Sequence, residues 1–208
     1  MPNWCNNVVE LAHKDPTMIE RARDAFNRGE LLNEFVPVPA DLKIVAGCVS
    51  DEAEQKKLEE DTARNVQKYG YGNWYDYCVN EWGTKWDVGG EGYEVEIQED
   101  GRITLSFDSA WAPPVAAYEK MLEQGFEIRA YYYEPGMCFA GVYDDGFDDY
   151  IEFGDMTADE VADEIPEALD EMFAITENMR DYEAENEEEE ELHTWLVDGV
   201  EAKKAQSE

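Results

Sequence analysis

Histidine and positive charge are scarce in this chain of 208 residues. It contains two histidines, His13 and His193, and 16 lysines and arginines against 51 aspartates and glutamates. Two isolated histidines argue against a His-based catalytic triad and against a His-rich metal site. The formal net charge of -35 argues against direct binding of nucleic acid or of an anionic membrane, because such a charge repels phosphate at long range.

Closely spaced cysteines and long apolar runs are lacking as well. The four cysteines, Cys5, Cys48, Cys78 and Cys138, lie far apart, whereas zinc and redox sites commonly use C-x-x-C pairs. We expect all four to be reduced and buried as small hydrophobic residues. No run of apolar residues is long enough to cross a membrane, and the N-terminus lacks the pattern of a secretory signal. The sequence therefore predicts a cytoplasmic protein with no cofactor and no metal.

The apolar content is sufficient for a folded core. Hydrophobic residues make up 43% of the chain and aromatic residues 12%, which argues against a wholly disordered acidic protein. The length favours one domain with an appendage. We expect a domain at 1–153 and an acidic, helical C-terminal appendage at 154–208.

The order of secondary-structure elements predicts an α+β fold. A β-branched strand at 7–11 precedes a helix that Asp15 caps and Pro16 begins. Residues 93–98 and 102–108 alternate apolar and polar side chains about a turn, as a β-hairpin does. The remaining elements are a helix at 114–123 and strands at 126–133, 137–143 and 147–153. This order is the ferredoxin-like split β-α-β core, an antiparallel sheet here with one or two extra strands.

An insertion at about 43–90 interrupts that order. It should contain a polar, exposed helix from Asp51 to about Lys68 and an aromatic helix that begins after Asn73 and ends near Trp82. The segment 31–42 before it is too rich in proline for regular structure.

Aromatic residues are concentrated in the second half of the insertion. Single-strand binders stack bases on such rings, but they place a cationic groove beside them, and only Lys68 and Lys85 lie near in sequence. We therefore expect the rings to pack on the sheet, with Trp74, Tyr77, Cys78 and Trp82 on one helical face. The aromatic residues in question are Tyr69, Tyr71, Trp74, Tyr75, Tyr77, Trp82 and Trp86.

Negative charge is concentrated at the C-terminal end. Residues 144–208 hold 25 acidic and 3 basic residues, a net of -22 of the total -35. On a helix, Asp159, Asp163 and Glu167 would form one row, and Glu160, Glu164 and Glu171 another, with neighbours about 6 Å apart. The phosphates of a nucleic acid strand are spaced comparably. The carboxylates assigned to this partner-binding surface are Asp159, Glu160, Asp163, Glu164, Glu167, Asp170, Glu171, Glu187, Glu188, Glu189, Glu190 and Glu191.

Two aromatic segments resemble a known family. They are MPNWCNNVVEL at 1–11 and YGYGNWYDYCVNEWGTKWD at 69–87. Together they resemble the YubB-like family of phage and conjugative-plasmid proteins, which have a ferredoxin-like domain and generally no assigned activity. The likeness covers about residues 1–153 and excludes the acidic appendage. It implies an origin in a mobile element, and it implies no catalytic residue.

Two functional hypotheses follow, and neither is enzymatic. In the first, the acidic appendage mimics nucleic acid and occupies the basic nucleic-acid-binding surface of a host protein, as an anti-restriction or other anti-defence factor would. In the second, the protein is an adaptor or assembly module of a mobile element, and acidity serves solubility only. Homo-oligomerisation stays open. A metal-dependent hydrolase is disfavoured, because Asp144, Asp145, Asp148 and Asp149 lack the spacing of a calcium loop and fit a solvated turn.

Overall fold

The computed structural model describes residues 2–186 and divides the chain into two compact units. The first unit is Met1–Glu152 and the second is Phe153–Glu208. This division falls one residue before the boundary expected from the sequence.

The first unit contains a six-stranded, fully antiparallel sheet in the order β2-β3-β1-β4-β5-β6. The first four strands have the order β2-β3-β1-β4, which is that of a ferredoxin-like core, and β5 and β6 extend it on one side. The predicted α+β, ferredoxin-like fold with extra strands is thereby confirmed. The strands are β1 (Trp4–His13), β2 (Val95–Ile97), β3 (Ile103–Ala110), β4 (Phe126–Glu134), β5 (Phe139–Asp144) and β6 (Phe147–Glu152).

Strand β1 lies at the centre of the core because it pairs with β3 on one side and with β4 on the other. Val9, for example, is opposite Leu105 in β3 and Ala130 in β4. All three side chains are buried. Since residues alternate between the two faces of a strand, every second residue of β1 from Cys5 to Leu11 points into the hydrophobic core.

Helices cover that apolar face of the sheet. Phe26 in α1, Leu32 in α2 and Met121 in α5 all belong to the same buried cluster as Val9 and Leu11. In the first unit the helices are α1 (Pro16–Asn27), α2 (Leu31–Phe35), α3 (Glu52–Tyr69), α4 (Trp74–Glu81) and α5 (Val115–Glu123), with a 3-10 turn at Ala40–Leu42. In the second unit they are α6 (Ala158–Glu164) and α7 (Glu167–Phe173), and residues 175–186 are also helical.

Helix starts are where side-chain capping predicts them. The Asp15 carboxylate accepts a hydrogen bond from the Thr17 backbone amide at 3.0 Å, immediately before Pro16 in the first turn of α1. Asn73 likewise accepts from the amides of Tyr75 and Asp76 at the start of α4. A polar side chain that binds these free amides defines the beginning of a helix locally.

The segment 31–42 is more regular than its prolines suggest. Leu31–Phe35 forms the short helix α2, with Leu31, Leu32 and Phe35 buried. The prediction of an irregular segment is wrong because a distant side chain satisfies the free amides: Asp87 accepts from the backbone amides of Leu32 at 2.7 Å and Asn33 at 3.0 Å. A cap more than fifty residues away in sequence leaves no local signal.

The end of the insertion approaches α1 through two glycines. Gly89 has a φ of +97°, and a Cβ added there would lie 2.2 Å from the Phe26 carbonyl oxygen. The Gly90 amide donates to that same oxygen at 2.7 Å. The close backbone contact therefore requires glycine at position 89 and fixes the returning chain beside the core.

Gly89→Ala should destabilise the first unit much more than Gly92→Ala. Gly92 has the same φ of +97°, but a Cβ there would meet nothing within 4 Å. Both variants carry the cost of a left-handed alanine, and only Gly89→Ala adds a backbone clash, which should bring its loss of unfolding free energy about 1–3 kcal/mol above that of Gly92→Ala. Urea unfolding of both variants measures the difference, and equal losses would contradict the close contact.

Candidate functional site

Acidic side chains are frequent on the exposed surface of the second unit. Residues 153–186 hold twelve acidic residues and a single base, Arg180. Ten of the twelve are exposed, and the two that are partly buried are Asp170 and Glu183. The described part of this unit thus presents negative charge with almost no compensating positive charge.

Helix α6 separates its apolar and acidic faces clearly. Ala158 and Val161 are buried, whereas Asp159, Asp163 and their neighbours Glu160 and Glu164 are exposed. The Thr157 hydroxyl accepts from the Glu160 amide, and the Glu160 carboxylate accepts from the Thr157 amide at 2.8 Å. This reciprocal capping fixes the start of α6, and with it the direction of both acidic pairs.

The longer acidic rows predicted for this region are interrupted. Helix α6 ends at Glu164, Ile165 has an extended backbone, and α7 begins at Glu167. Rows that join Asp159 to Glu167, or Glu160 to Glu171, therefore do not follow one helix axis, and the prediction of three-membered rows is wrong. The reason is Pro166, which has no amide to donate and holds the residue before it in an extended conformation.

Three of the predicted surface carboxylates have structural partners. Asp159 forms an ion pair with Arg180 at 3.0 Å. Asp170 accepts from the amide and the hydroxyl of Thr176 and thereby stabilises the junction after α7. Hydrogen bonds from Thr157 hold the pKa of the Glu160 carboxyl below its usual value.

The other four described carboxylates have no such partner. Asp163, Glu164, Glu167 and Glu171 are exposed, and within residues 2–186 none of their side chains makes a hydrogen bond or an ion pair. We call these four residues the acidic surface. The remaining predicted members, Glu187, Glu188, Glu189, Glu190 and Glu191, lie outside the described residues.

Most of the aromatic rings of the insertion pack on the core, as expected. Cys78 and Trp82 are buried, and Trp74 and Tyr77 are partly buried against the same cluster. The Trp82 indole donates to the Val36 carbonyl at 2.8 Å, so its polar atom is satisfied inside the fold. These contacts explain the aromatic helix as packing.

Trp86 is different, because it joins an exposed aromatic group that the sequence did not indicate. Its ring centroid lies 5.9 Å from that of Trp4, and Trp111 lies nearby across the Lys85 side chain. All three tryptophans remain at least 40% exposed. They come from the start of β1, the insertion and the turn after β3, so only the tertiary structure brings them together.

Acidic side chains at the turn between β5 and β6 form an ion pair and hydrogen bonds within the fold. Asp144 pairs with Arg129 at 2.6 Å, Asp145 accepts from the Ile128 amide, and Asp148 accepts from the Tyr132 hydroxyl. Across the described part of the chain, no group of three or more histidine, cysteine or acidic residues is arranged to hold a metal ion. Nor does any helix there have the length and apolarity to cross a membrane.

Comparison with solved structures gives a distant structural neighbour. No family model matches the chain, and no curated protein matches it. The crystal structure of the protein api92 from Yersinia pseudotuberculosis, described with the family model DUF1281, is similar at a TM-score of 0.41 and 13% sequence identity. That similarity covers 74% of this chain and 99% of the api92 chain.

The four cysteines occupy different environments. Cys5 and Cys78 are buried, as expected, and burial raises the pKa of each thiol to about 12. Cys48 is exposed and Cys138 is partly exposed, so the expectation that all four are buried is wrong. Cys48 lies in the loop before α3, where its neighbours Val45 and Ala46 are exposed as well.

Cys48 should be the first thiol to react with iodoacetamide in the folded protein, followed by Cys138. Cys5 and Cys78 should stay unmodified, because the thiolate is the reactive form and burial suppresses both its formation and its access. Mass spectrometric mapping after a short exposure measures the order, and the same reaction in urea is the control in which all four should react. Early labelling of Cys78 in the folded state would contradict its burial.

Proposed function

We propose that this protein acts by binding another protein through the acidic surface, and not by catalysis. The observation that supports this proposal is that Asp163, Glu164, Glu167 and Glu171 are exposed and have no partner within the described residues, in a segment with one base. The natural complement of such a surface is a cluster of lysine and arginine side chains.

Electrostatic repulsion between neighbouring carboxylates of α6 and α7 supports a binding role. Carboxylates four residues apart on a helix repel each other by a few tenths of a kcal/mol per pair. Asp159 with Asp163, Glu160 with Glu164, and Glu167 with Glu171 are three such pairs in two short helices. A cationic partner would remove this repulsion on binding, so part of the gain in affinity comes from relief of strain already present in the free protein.

The partner we propose is a host protein with a basic nucleic-acid-binding surface. Carboxylates about 6 Å apart along a helix face can occupy positions that phosphates otherwise take on such a surface. The resemblance to a family from phages and conjugative plasmids suggests an anti-restriction or other anti-defence role in the host cytoplasm. The interruption at Pro166 means that two short acidic segments, and not one long row, would make the contact.

Neutralising the acidic surface should weaken binding of such a partner. We expect Asp163→Asn, Glu164→Gln, Glu167→Gln and Glu171→Gln together to weaken the complex at least about tenfold, because close charge pairs at interfaces contribute about 1.5 kcal/mol or more. The measurement is capture of nucleic-acid-binding host proteins on the immobilised protein at about 50 and 200 mM salt, with duplex DNA as competitor. Capture should fall with salt and with added DNA.

The matched control removes the same number of charges from the first unit. Glu91, Glu94, Glu96 and Glu99 are exposed, and none has a side-chain partner among the described residues. Their replacement by glutamine should leave capture within about twofold of the unmodified protein, since only distant, screened charge is lost. Capture that does not change with salt or with added DNA would count against nucleic-acid mimicry. Capture that falls equally in the acidic-surface variant and in the first-unit variant would also count against it.

A second candidate function is supported by the exposed edge of the sheet. Strand β6 forms one edge, and Phe147 on it is 70% exposed while Tyr150 is 48% exposed. An exposed edge with apolar side chains can accept a further strand from a partner. Asp148 and Asp149 on the same strand disfavour pairing with a second copy and favour a basic segment. An adaptor would use this edge and not the acidic surface.

Phe147→Glu separates the two candidates. If the protein is an adaptor that adds a strand at β6, this change should remove partner capture at both salt concentrations, because it places charge in the apolar part of the contact. Ile97→Glu is the matched control, since Ile97 is 61% exposed on β2 at the opposite edge of the sheet. Unchanged capture by Phe147→Glu would rule out the edge as the binding site.

A further inference from the structure

A cavity of about 330 Å³ opens in the first unit between α2 and the insertion. The tryptophans Trp74, Trp82 and Trp86 line it, together with Val38 and Cys78. Its volume is at the lower end of the range of about 300–1,000 Å³ that small-molecule sites occupy. Its polar lining is Glu30, Asn33, Lys43, Lys85 and Asp87.

The two acidic residues of the lining are already engaged by the fold. Asp87 accepts from three backbone amides, those of Leu32, Asn33 and Val88, at 2.7 to 3.0 Å. Glu30 forms an ion pair with Arg28 at 3.3 Å. Neither carboxylate therefore needs a cation from a ligand.

The two lysines that line the cavity, by contrast, have no carboxylate partner among the described residues. Of the fourteen lysines and arginines in residues 2–186, ten have a carboxylate within 4.0 Å. In that part of the chain the four without one are Lys14, Lys43, Lys57 and Lys85. In a chain with a threefold excess of acidic residues, it is notable that two of these four line one small cavity.

Aromatic rings hold the Lys85 ammonium in place. Its Nζ lies 4.7 Å from the ring centroid of Trp86, 5.1 Å from that of Trp111 and 5.6 Å from that of Tyr75. Cation–π contacts of this kind fix an ammonium without neutralising its charge. The cavity therefore combines aromatic side chains with two ammonium groups that no carboxylate of the described chain approaches within 4.0 Å.

We propose that this cavity binds a small anion that carries a planar ring, such as a nucleoside monophosphate or an aromatic carboxylate. The ring stacks against the tryptophan wall, and the anionic group is bound by Lys43 and Lys85. Both contacts are required, because the rings alone do not select for charge and the ammonium groups alone do not select for a planar ring. A long nucleic acid does not fit this site, since the carboxylates elsewhere on the protein repel its other phosphates.

The test is isothermal titration calorimetry of the full chain with probes that separate the ring from the charge. AMP and benzoate carry both features, adenosine and benzamide carry only the ring, and inorganic phosphate carries only the charge. At least one of AMP and benzoate should bind about tenfold or more tightly than its uncharged analogue, because charge-assisted hydrogen bonds are about twice as strong as neutral ones. Preference for AMP or for benzoate then assigns the anionic group as phosphate or carboxylate.

Lys43→Gln and Lys85→Gln should each weaken that binding about fivefold or more, and Lys57→Gln should leave it unchanged. Lys57 is the matched control, because it is also without a carboxylate partner among the described residues but lies on the exposed helix α3. Trp74→Leu should weaken AMP and adenosine alike. The proposal is overturned if neither AMP nor benzoate binds in the millimolar range, or if all three lysine variants bind equally.

Discussion

The pairing of β1 with both β3 and β4 is the contact on which the rest of the first unit depends. It places the alternating apolar residues of β1 in the middle of the sheet, where α1 and α5 can cover them. It also sets the strand order of a ferredoxin-like core, because it places β3 and β4 on the two sides of β1.

The two units differ in how their charged side chains are paired. In the first unit most basic residues are paired with a carboxylate, as Arg102 is with Glu10 and Lys68 with Asp41, so that acidic side chains contribute to the fold. In the second unit Arg180 is the only described base, and most carboxylates face solvent without a partner. Solubility alone does not require such an uneven distribution, and this is why we favour a binding role for the acidic surface.

The insertion shows how one local pattern can serve two purposes. The apolar stripe of α4 packs on the core through Cys78 and Trp82, which satisfies the need to bury aromatic area. The residues just after it, Lys85 and Trp86, remain at the surface and meet Trp4 and Trp111. A strongly acidic protein thereby keeps a small region of positive charge and aromatic rings, and this region differs in chemistry from the acidic surface.

Local patterns in the sequence determined the features that depend on near neighbours. Side-chain caps at Asp15, Asn73 and Thr157, the alternation in β1 and β3, and the order of strands and helices all result from contacts within a few residues, so the ferredoxin-like core and the acidic helices were predictable. Tertiary structure alone decided the helix α2, which Asp87 caps from a distance, the exposure of Cys48, the placement of Trp86 and Trp111 beside Lys85, and which carboxylates of the second unit find a partner. These features depend on residues that are far apart in sequence and adjacent only after folding, and a one-dimensional pattern does not encode such distances.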